Sequence, residues 1–361
     1  MVKQSEIKSI KDIESYTYKK RIPYIVNIEL LAGCNLDCIH CYISKHDEQK
    51  LSYEDVDNIF KQLKELGTFI IVLTGGEIFV RSDIFNIIER ARFYGFRIIL
   101  FTNATLLDSE KIKKLKELYV FEVSTSIYSM KSEIHDLITT VKGSLERTLN
   151  NIKLIKNYGI NVEVKTPFMI YNKDSFDEIA NYCQENGYAF NSSTIIFGTM
   201  DGNRSNSELQ INGKDLSVLL EKRDNYRRNT NGSGNTNEFD ENDFICNDLR
   251  TTLGISSNGD VYPCSSFPLK IGNIRENTLR DIWNSEEEKR IQSMKKGDLK
   301  KCANCENVNY CDICPGLAYM ETRDYLGCSD ASNKVAALRY KSASERKKEY
   351  GKFERNKKQN G

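Results

Sequence analysis

The 361-residue chain is predicted to be an α/β protein, an open, partial (β/α)6 barrel followed by a small module stapled through cysteines. Three observations predict it. Between residues 24 and 198, β-rich runs alternate with amphipathic helical stretches, the rhythm of a parallel sheet. After Gly198 that alternation loosens into polar loops. The eleven cysteines are not scattered: Cys34, Cys38 and Cys41 form one group, Cys246, Cys264, Cys302, Cys305, Cys311, Cys314 and Cys328 another, and Cys183 stands alone.

Taken in order, "YIVNIELL" (24–31) reads as the first strand, and "SYEDVDNIFKQLKEL" (52–66) as a helix opened by the N-cap Ser52. "FIIVL" (69–73) is the second strand, followed by a helix over 82–94 and the third strand "RIILFT" (97–102). A helix over 108–118 leads to "VFEVSTS" (120–126), and a helix over 144–158, ended by Gly159, leads to "INVEVKTP" (160–167). The sixth unit is a helix over 174–186, ended by Gly187, and the strand "SSTIIFG" (192–198). Six units are too few for a closed eight-stranded TIM-type barrel but enough for a partial one, whose chemistry collects at the C-terminal ends of the strands. "DGNRSNSELQING" and "NTNGSGNTNEFDEND" read as surface loops bridged by the helix "KDLSVLLEKRDNYRR". The expected divisions are an N-terminal extension (1–21), the barrel (22–200), a connector (201–245), the cysteine-rich module (246–338) and a basic tail (339–361).

Composition narrows the function classes. Acids and bases are interspersed at a net charge of +1, so there is no electrostatic footprint for nucleic acid. The one local excess, eight Lys/Arg against three Glu from Lys341 onward, reads as a solvated, frayed end. No run approaches the length of a membrane span, and the N-terminus lacks the apolar stretch of a signal peptide. A cytoplasmic location is expected, where thiols stay reduced and eleven cysteines point to metal or redox chemistry.

"AGCNLDCIHCY" (32–42) sharpens this. Three thiols spaced C-x3-C-x2-C cannot pair as disulfides. A structural zinc site wants four ligands, and His40 is available as a fourth. The alternative is an iron–sulfur cluster with one iron left without a protein ligand. At the exit of the second strand, "LTGGEIF" offers Gly75 and Gly76, which let backbone approach a ligand, and Glu77, which can accept from an ammonium group.

Together, Cys34, Cys38 and Cys41 and the Gly75-Gly76-Glu77 segment resemble the radical S-adenosylmethionine enzymes. In that family three thiolates hold a [4Fe–4S] cluster whose fourth iron is chelated by the amine and carboxylate of S-adenosyl-L-methionine. Its reductive cleavage yields a 5′-deoxyadenosyl radical that abstracts a substrate hydrogen. The resemblance makes Asn103 a contact to the adenosine, Ser124 and Ser126 contacts to the ribose or methionine, and Lys165 a partner of the methionine carboxylate. Tyr42 would pack near the adenine or shield the cluster. Ile78 stands where many relatives have proline.

The second cysteine group, with "RTTLGISSNGDVYPC" and "YCDICPGLAYME", resembles the SPASM extension of peptide-modifying radical enzymes. Alone, C302-x2-C305 and C311-x2-C314 would also suit a zinc ribbon, but seven cysteines do not divide into four-ligand sites. The resemblance implies an interleaved pattern of two auxiliary iron–sulfur clusters, one on Cys302, Cys305, Cys311 and Cys328 and the other on Cys246, Cys264 and Cys314. The second is a ligand short, which a non-cysteine side chain or the substrate would supply. Cys328 lies earlier than the resemblance leads one to expect, where Asn333 would align. Cys183 reads as a small buried hydrophobe, Trp283 as part of a buried helix face, and His40 is given no ligand role.

The expected activity is maturation of a ribosomally made precursor peptide, with a thioether crosslink first. Carbon–carbon or carbon–oxygen crosslinking, epimerisation and sulfatase-type oxidation are the alternatives. Expected partners are an electron donor such as ferredoxin or flavodoxin and a separate leader-recognition protein, since 20 residues before the first strand are too few for such a domain. A non-catalytic zinc protein or electron carrier is the reading from another class. The sequence names no catalytic base.

Overall fold

The computed structural model describes residues 9–43, 50–199, 204–231 and 238–359. Helix α1 (Ile10–Lys20) precedes six parallel strands and their helices: β1 (Ile25–Glu29), α2 (Tyr53–Leu66), β2 (Ile70–Thr74), α3 (Ile84–Phe93), β3 (Arg97–Phe101), α4 (Ser109–Glu117) and β4 (Glu122–Ser126). Then come α5 (Ser132–Thr139), α6 (Ser144–Asn157), β5 (Asn161–Pro167), α7 (Phe176–Asn186) and β6 (Ala189–Ser193). The C-terminal half holds α8 (Gly213–Asn231), β7 (Thr252–Ile255), β8 (Asp260–Tyr262), β9 (Gly272–Asn273), α9 (Leu279–Trp283), α10 (Glu286–Ser293), α11 (Pro315–Thr322) and α12 (Asp330–Gln359).

The expected α/β partial barrel is present, and local chemistry explains its elements. Ser52 and Asp55 close a capping box at the start of α2, while Gly67 ends it at φ +90°. The helix turns Val56, Ile59, Phe60 and Leu63 onto the sheet, all of them buried. In β1, Val26 and Ile28 are fully buried and alternate with the partly exposed Asn27 and Glu29. Cys183 and Trp283 are buried as expected, the indole nitrogen of Trp283 donating to the Arg21 carbonyl at 2.7 Å.

Four expectations change. The sheet has nine strands, in the order β6-β5-β4-β3-β2-β1-β7-β8-β9. β7 pairs parallel to β1, Ile25 opposite Thr252 and Ile28 opposite Ile255, and β8 and β9 continue antiparallel. The cysteine-rich half is therefore grafted onto the barrel sheet, with Leu253, Ile255, Val261 and Trp283 joining the main core. Its own apolar cluster is small, built on Ile245, Leu249, Phe267, Ile291, Met294 and Leu299.

The sixth strand runs over 189–193, not 192–198, because β5 ends at Pro167 and Ser193 is its last partner. The apolar residues Ile195, Ile196 and Phe197 follow the strand; Ile196 packs with Tyr128, Ile138 and Met169. Helices α1 and α5 were not expected. The basic tail does not fray at once, since α12 continues to Gln359. The polar segments 201–203 and 232–237 of the two expected loops lie outside the described residues. No described helix is long and apolar enough to cross a membrane.

Candidate iron–sulfur and active site

The loop after β1 carries Cys34, Cys38 and Cys41, as expected of a strand's C-terminal end. It is fastened by the glycine turn after β2. The Gly76 N–H donates to the Leu31 carbonyl at 2.9 Å, and the Glu77 N–H to the Gly33 carbonyl at 2.9 Å. A Cβ on Gly75 (φ +140°) would run into the Leu31 carbonyl, and one on Gly76 into the carbonyls of Ala32 and Gly33. The backbone that these glycines admit is the chain's own cysteine loop.

Glu77 stands at the same turn. It is fully buried, and its carboxylate accepts from the Phe79 N–H at 3.0 Å, the Thr102 hydroxyl at 2.7 Å and the Asn103 N–H at 2.8 Å. The side chain ties the β2 exit to the β3 exit. Burial raises its carboxyl, with these three donors opposing the shift. Asn103 lies beside the cysteine loop. Its Nδ2 donates to Asn35 Oδ1 at 2.8 Å, and its Oδ1 accepts from the Thr105 N–H at 2.9 Å.

The three thiols are mutually close, each adding to the charge repulsion felt within the group. Burial pushes Cys34 up to about 11 and Cys38 to about 12, so three thiolates here require positive charge between them. The Leu36 N–H meets Cys34 Sγ at 3.4 Å. Tyr128, which the sequence reading overlooked, hydrogen-bonds Cys38 and Ser126 and packs its ring 5.0 Å from His40. Ser124 and Lys165 are brought to another partner, Glu163. The Ser124 hydroxyl donates to Glu163 Oε2 at 2.8 Å, and Lys165 Nζ lies 3.3 Å from the same oxygen and 3.6 Å from the centre of the Phe101 ring.

The seven C-terminal cysteines divide by proximity into two sets. Cys246, Cys264 and Cys314 act electrostatically on one another, as do Cys302, Cys305, Cys311 and Cys328. The neighbours in sequence Cys311 and Cys314 fall into different sets. Among the described residues, no three Cys, His, Asp or Glu side chains converge as a single ion would need.

Between the loop of Cys34–Cys41 and the loop of Cys264 lies a cavity of about 220 Å³. Glu29, Tyr42, Thr74 and Phe101 line it from the barrel, Tyr262, Ser265, Ser266 and Met320 from the other half. Tyr42 therefore faces this cavity, its hydroxyl donating to Glu29 at 2.7 Å. Burial raises the Glu29 carboxyl, opposed by Tyr42 and the Ser257 N–H. None of the described lining residues is Lys or Arg. Glu29 was missed, although its alternation with Val26 and Ile28 gave a signal for an inward polar group.

An open parallel barrel with three clustered thiols at its first strand exit, beside seven further cysteines, defines a multi-cluster iron–sulfur protein of the α/β barrel class. Comparison with known proteins narrows this. Residues 28–184 match the radical SAM superfamily, and residues 246–306 the SPASM iron–sulfur cluster-binding domain. The chain is a radical SAM protein with a C-terminal SPASM domain, and these domains bring a [4Fe–4S] cluster, S-adenosylmethionine and auxiliary iron–sulfur clusters. It is 28% identical to the AdoMet-dependent heme synthase of Methanosarcina barkeri over 84% of this chain and 94% of that protein. It is 26% identical to the antilisterial bacteriocin subtilosin biosynthesis protein AlbA of Bacillus subtilis, over 73% of this chain and 60% of that one. The fold matches Streptococcus suis SuiB bound to its precursor peptide SuiA, with a TM-score of 0.67 at 20% identity over 89% of this chain and 79% of that one.

Proposed function

We propose that this radical SAM enzyme modifies a ribosomally made peptide, joining a cysteine sulfur to a carbon as a thioether. In this reading Cys34, Cys38 and Cys41 hold the S-adenosylmethionine cluster, which supplies a hydrogen-abstracting radical. Cys246, Cys264 and Cys314 hold one auxiliary cluster, and Cys302, Cys305, Cys311 and Cys328 the other. Gly75, Gly76 and Asn103 shape the cosubstrate's side of the loop, with Ser126 and Lys165 further into the barrel. Glu77 contributes by fixing the turn, Ser124 by positioning Glu163.

The observation that carries the proposal is the cavity. It reaches from the residue after Cys41 to the residues after Cys264, so a group held in it lies between a radical source and an electron acceptor. Its size suits a peptide side chain. The likeness to AlbA and the shared fold with peptide-bound SuiB support the same substrate class. An external one-electron donor and a separate leader-recognition protein complete the reading.

The heme synthase likeness over nearly that relative's full length favours a second reading, a tetrapyrrole substrate. A porphyrin is broad, flat and multiply anionic, whereas this cavity offers the carboxyl of Glu29 and no described Lys or Arg. The test is anaerobic turnover of the reconstituted protein with the peptide encoded beside its gene, and in parallel with iron coproporphyrin. The peptide should lose two hydrogen atoms per crosslink, one of them appearing in the 5′-deoxyadenosine formed from S-adenosylmethionine. Turnover of the porphyrin alone would overturn the peptide assignment.

A further inference from the structure

We propose that Arg339 is a positioning residue for both auxiliary clusters. It clamps the one stretch of backbone that carries a ligand of each, Cys311 and Cys314, and so fixes how the two clusters sit relative to one another. This rests on the cluster assignment above. Arg339 stands where the sequence reads as the start of a basic tail, yet it is buried, on α12. Its guanidinium reaches two elements at once. Nη1 donates to Asp312 Oδ2 at 2.8 Å and to the Tyr310 carbonyl at 3.4 Å, gripping the stretch on both sides of Cys311. Nη2 donates to Asp224 Oδ1 on α8 at 3.4 Å, and Nε lies 3.3 Å from the other oxygen of Asp224.

Two further side chains of α12 hold the same stretch. The Ser332 hydroxyl donates to the Asp312 carbonyl at 3.2 Å, and the Tyr340 ring packs edge-on against Tyr310 with centroids 5.7 Å apart. The flanks are fixed by turns of their own. The short helical turn Val308–Tyr310 leads into Cys311, and Cys314 caps α11, its Sγ accepting from the Leu317 N–H at 3.4 Å. Only Asp312 and Ile313 lie between the two ligands, and α12 bonds Asp312 through both its carboxylate and its carbonyl. The helix itself starts two residues after Cys328, which the assignment gives to the same cluster as Cys311.

Metal ligands are oriented by the groups bonded behind them, and the potentials of iron–sulfur clusters follow charge, hydrogen bonding and exposure. A guanidinium holds several partners in fixed directions, whereas the lysine ammonium is a point charge on a flexible stem. Moving the Tyr310–Cys314 stretch would displace a ligand of each cluster together, and with them the pair that accepts the electron released in crosslinking.

The test uses full-length, reconstituted protein and reads iron content, electron paramagnetic resonance and redox titration, with the cluster on Cys34, Cys38 and Cys41 as the internal reference. Arg339→Lys keeps the charge and loses the fork, so a change it causes reports geometry. It should shift the midpoint potentials and resonance signals of both auxiliary clusters and leave the reference signal unaltered. Asp224→Asn, which breaks only the arm to α8, should shift them less. Wild-type auxiliary signals in Arg339→Lys would overturn the proposal, as would a shift confined to one cluster or an equal shift in Asp224→Asn. If Arg339→Lys does not fold, Ser332→Ala, which removes a bond to the Asp312 carbonyl and no charge, decides by the same outcomes. Cys314→Ala separates this failure from failure of the underlying reading. If it leaves iron content and spectra intact, no cluster sits on these cysteines. If it loses about four irons while Arg339→Lys matches wild type, only the positioning role fails.

Discussion

Glu288 on α10 is fully buried, one carboxylate oxygen accepting from Gln292 Nε2 at 2.8 Å and the other without a hydrogen-bond partner. Burial pushes its carboxyl from an ordinary 4.5 up to about 8. The folded state holds this proton more tightly than the unfolded chain, so the associated stability is complete below the ordinary value and declines as pH rises towards 8. Glu288→Gln should remove that decline. Relative to wild type, the variant should gain roughly 4 kcal/mol between about pH 4.5 and pH 8, read from melting curves at both ends. An equal difference at both pH values would show that Glu288 does not titrate in the fold. Residues of this kind are hard to see in sequence. Glu288 stands in the acidic run "SEEEKR", where it looks like the exposed Glu286 and half-buried Glu287 before it, and only tertiary packing singles it out. The cysteines were legible because of their spacing: three thiols at C-x3-C-x2-C cannot all pair as disulfides. The Glu77 partners were not, because Thr102 and Asn103 reach it from a different strand exit.

At the scale of elements, the six β/α units were legible because each apolar run is bounded by a cap or a turn, such as Ser52, Gly67 or Gly187. Strands β7–β9 were not, because they are two to four residues long and draw their stability from β1. Their placement has a measurable result. A chain truncated after residue 245 would leave the β1 edge unpaired and strip Leu253, Ile255 and Val261 from the main core. It should be insoluble or unable to cleave S-adenosylmethionine even with Cys34, Cys38 and Cys41 intact. A soluble truncation that forms 5′-deoxyadenosine at the full-length rate would show that the barrel folds independently.

For the molecule as a whole, the division of the C-terminal cysteines is testable by additivity. If Cys311 and Cys314 serve different clusters, Cys311→Ala and Cys314→Ala should each lose about four of roughly twelve irons, and the double variant about eight. Were they ligands of one cluster, the double variant would lose no more than either single one. The pairing of β1 with β7 has a last consequence, for the order in which the protein is made. β1 leaves the ribosome early, yet one of its two neighbouring strands is translated more than two hundred residues later. Until then the strand leading into the Cys34 loop is held from one side only. Closing such distant pairs is slow. The strand that leads into the first metal centre in the sequence therefore gains its second edge only when the cysteine-rich half has been made and has docked.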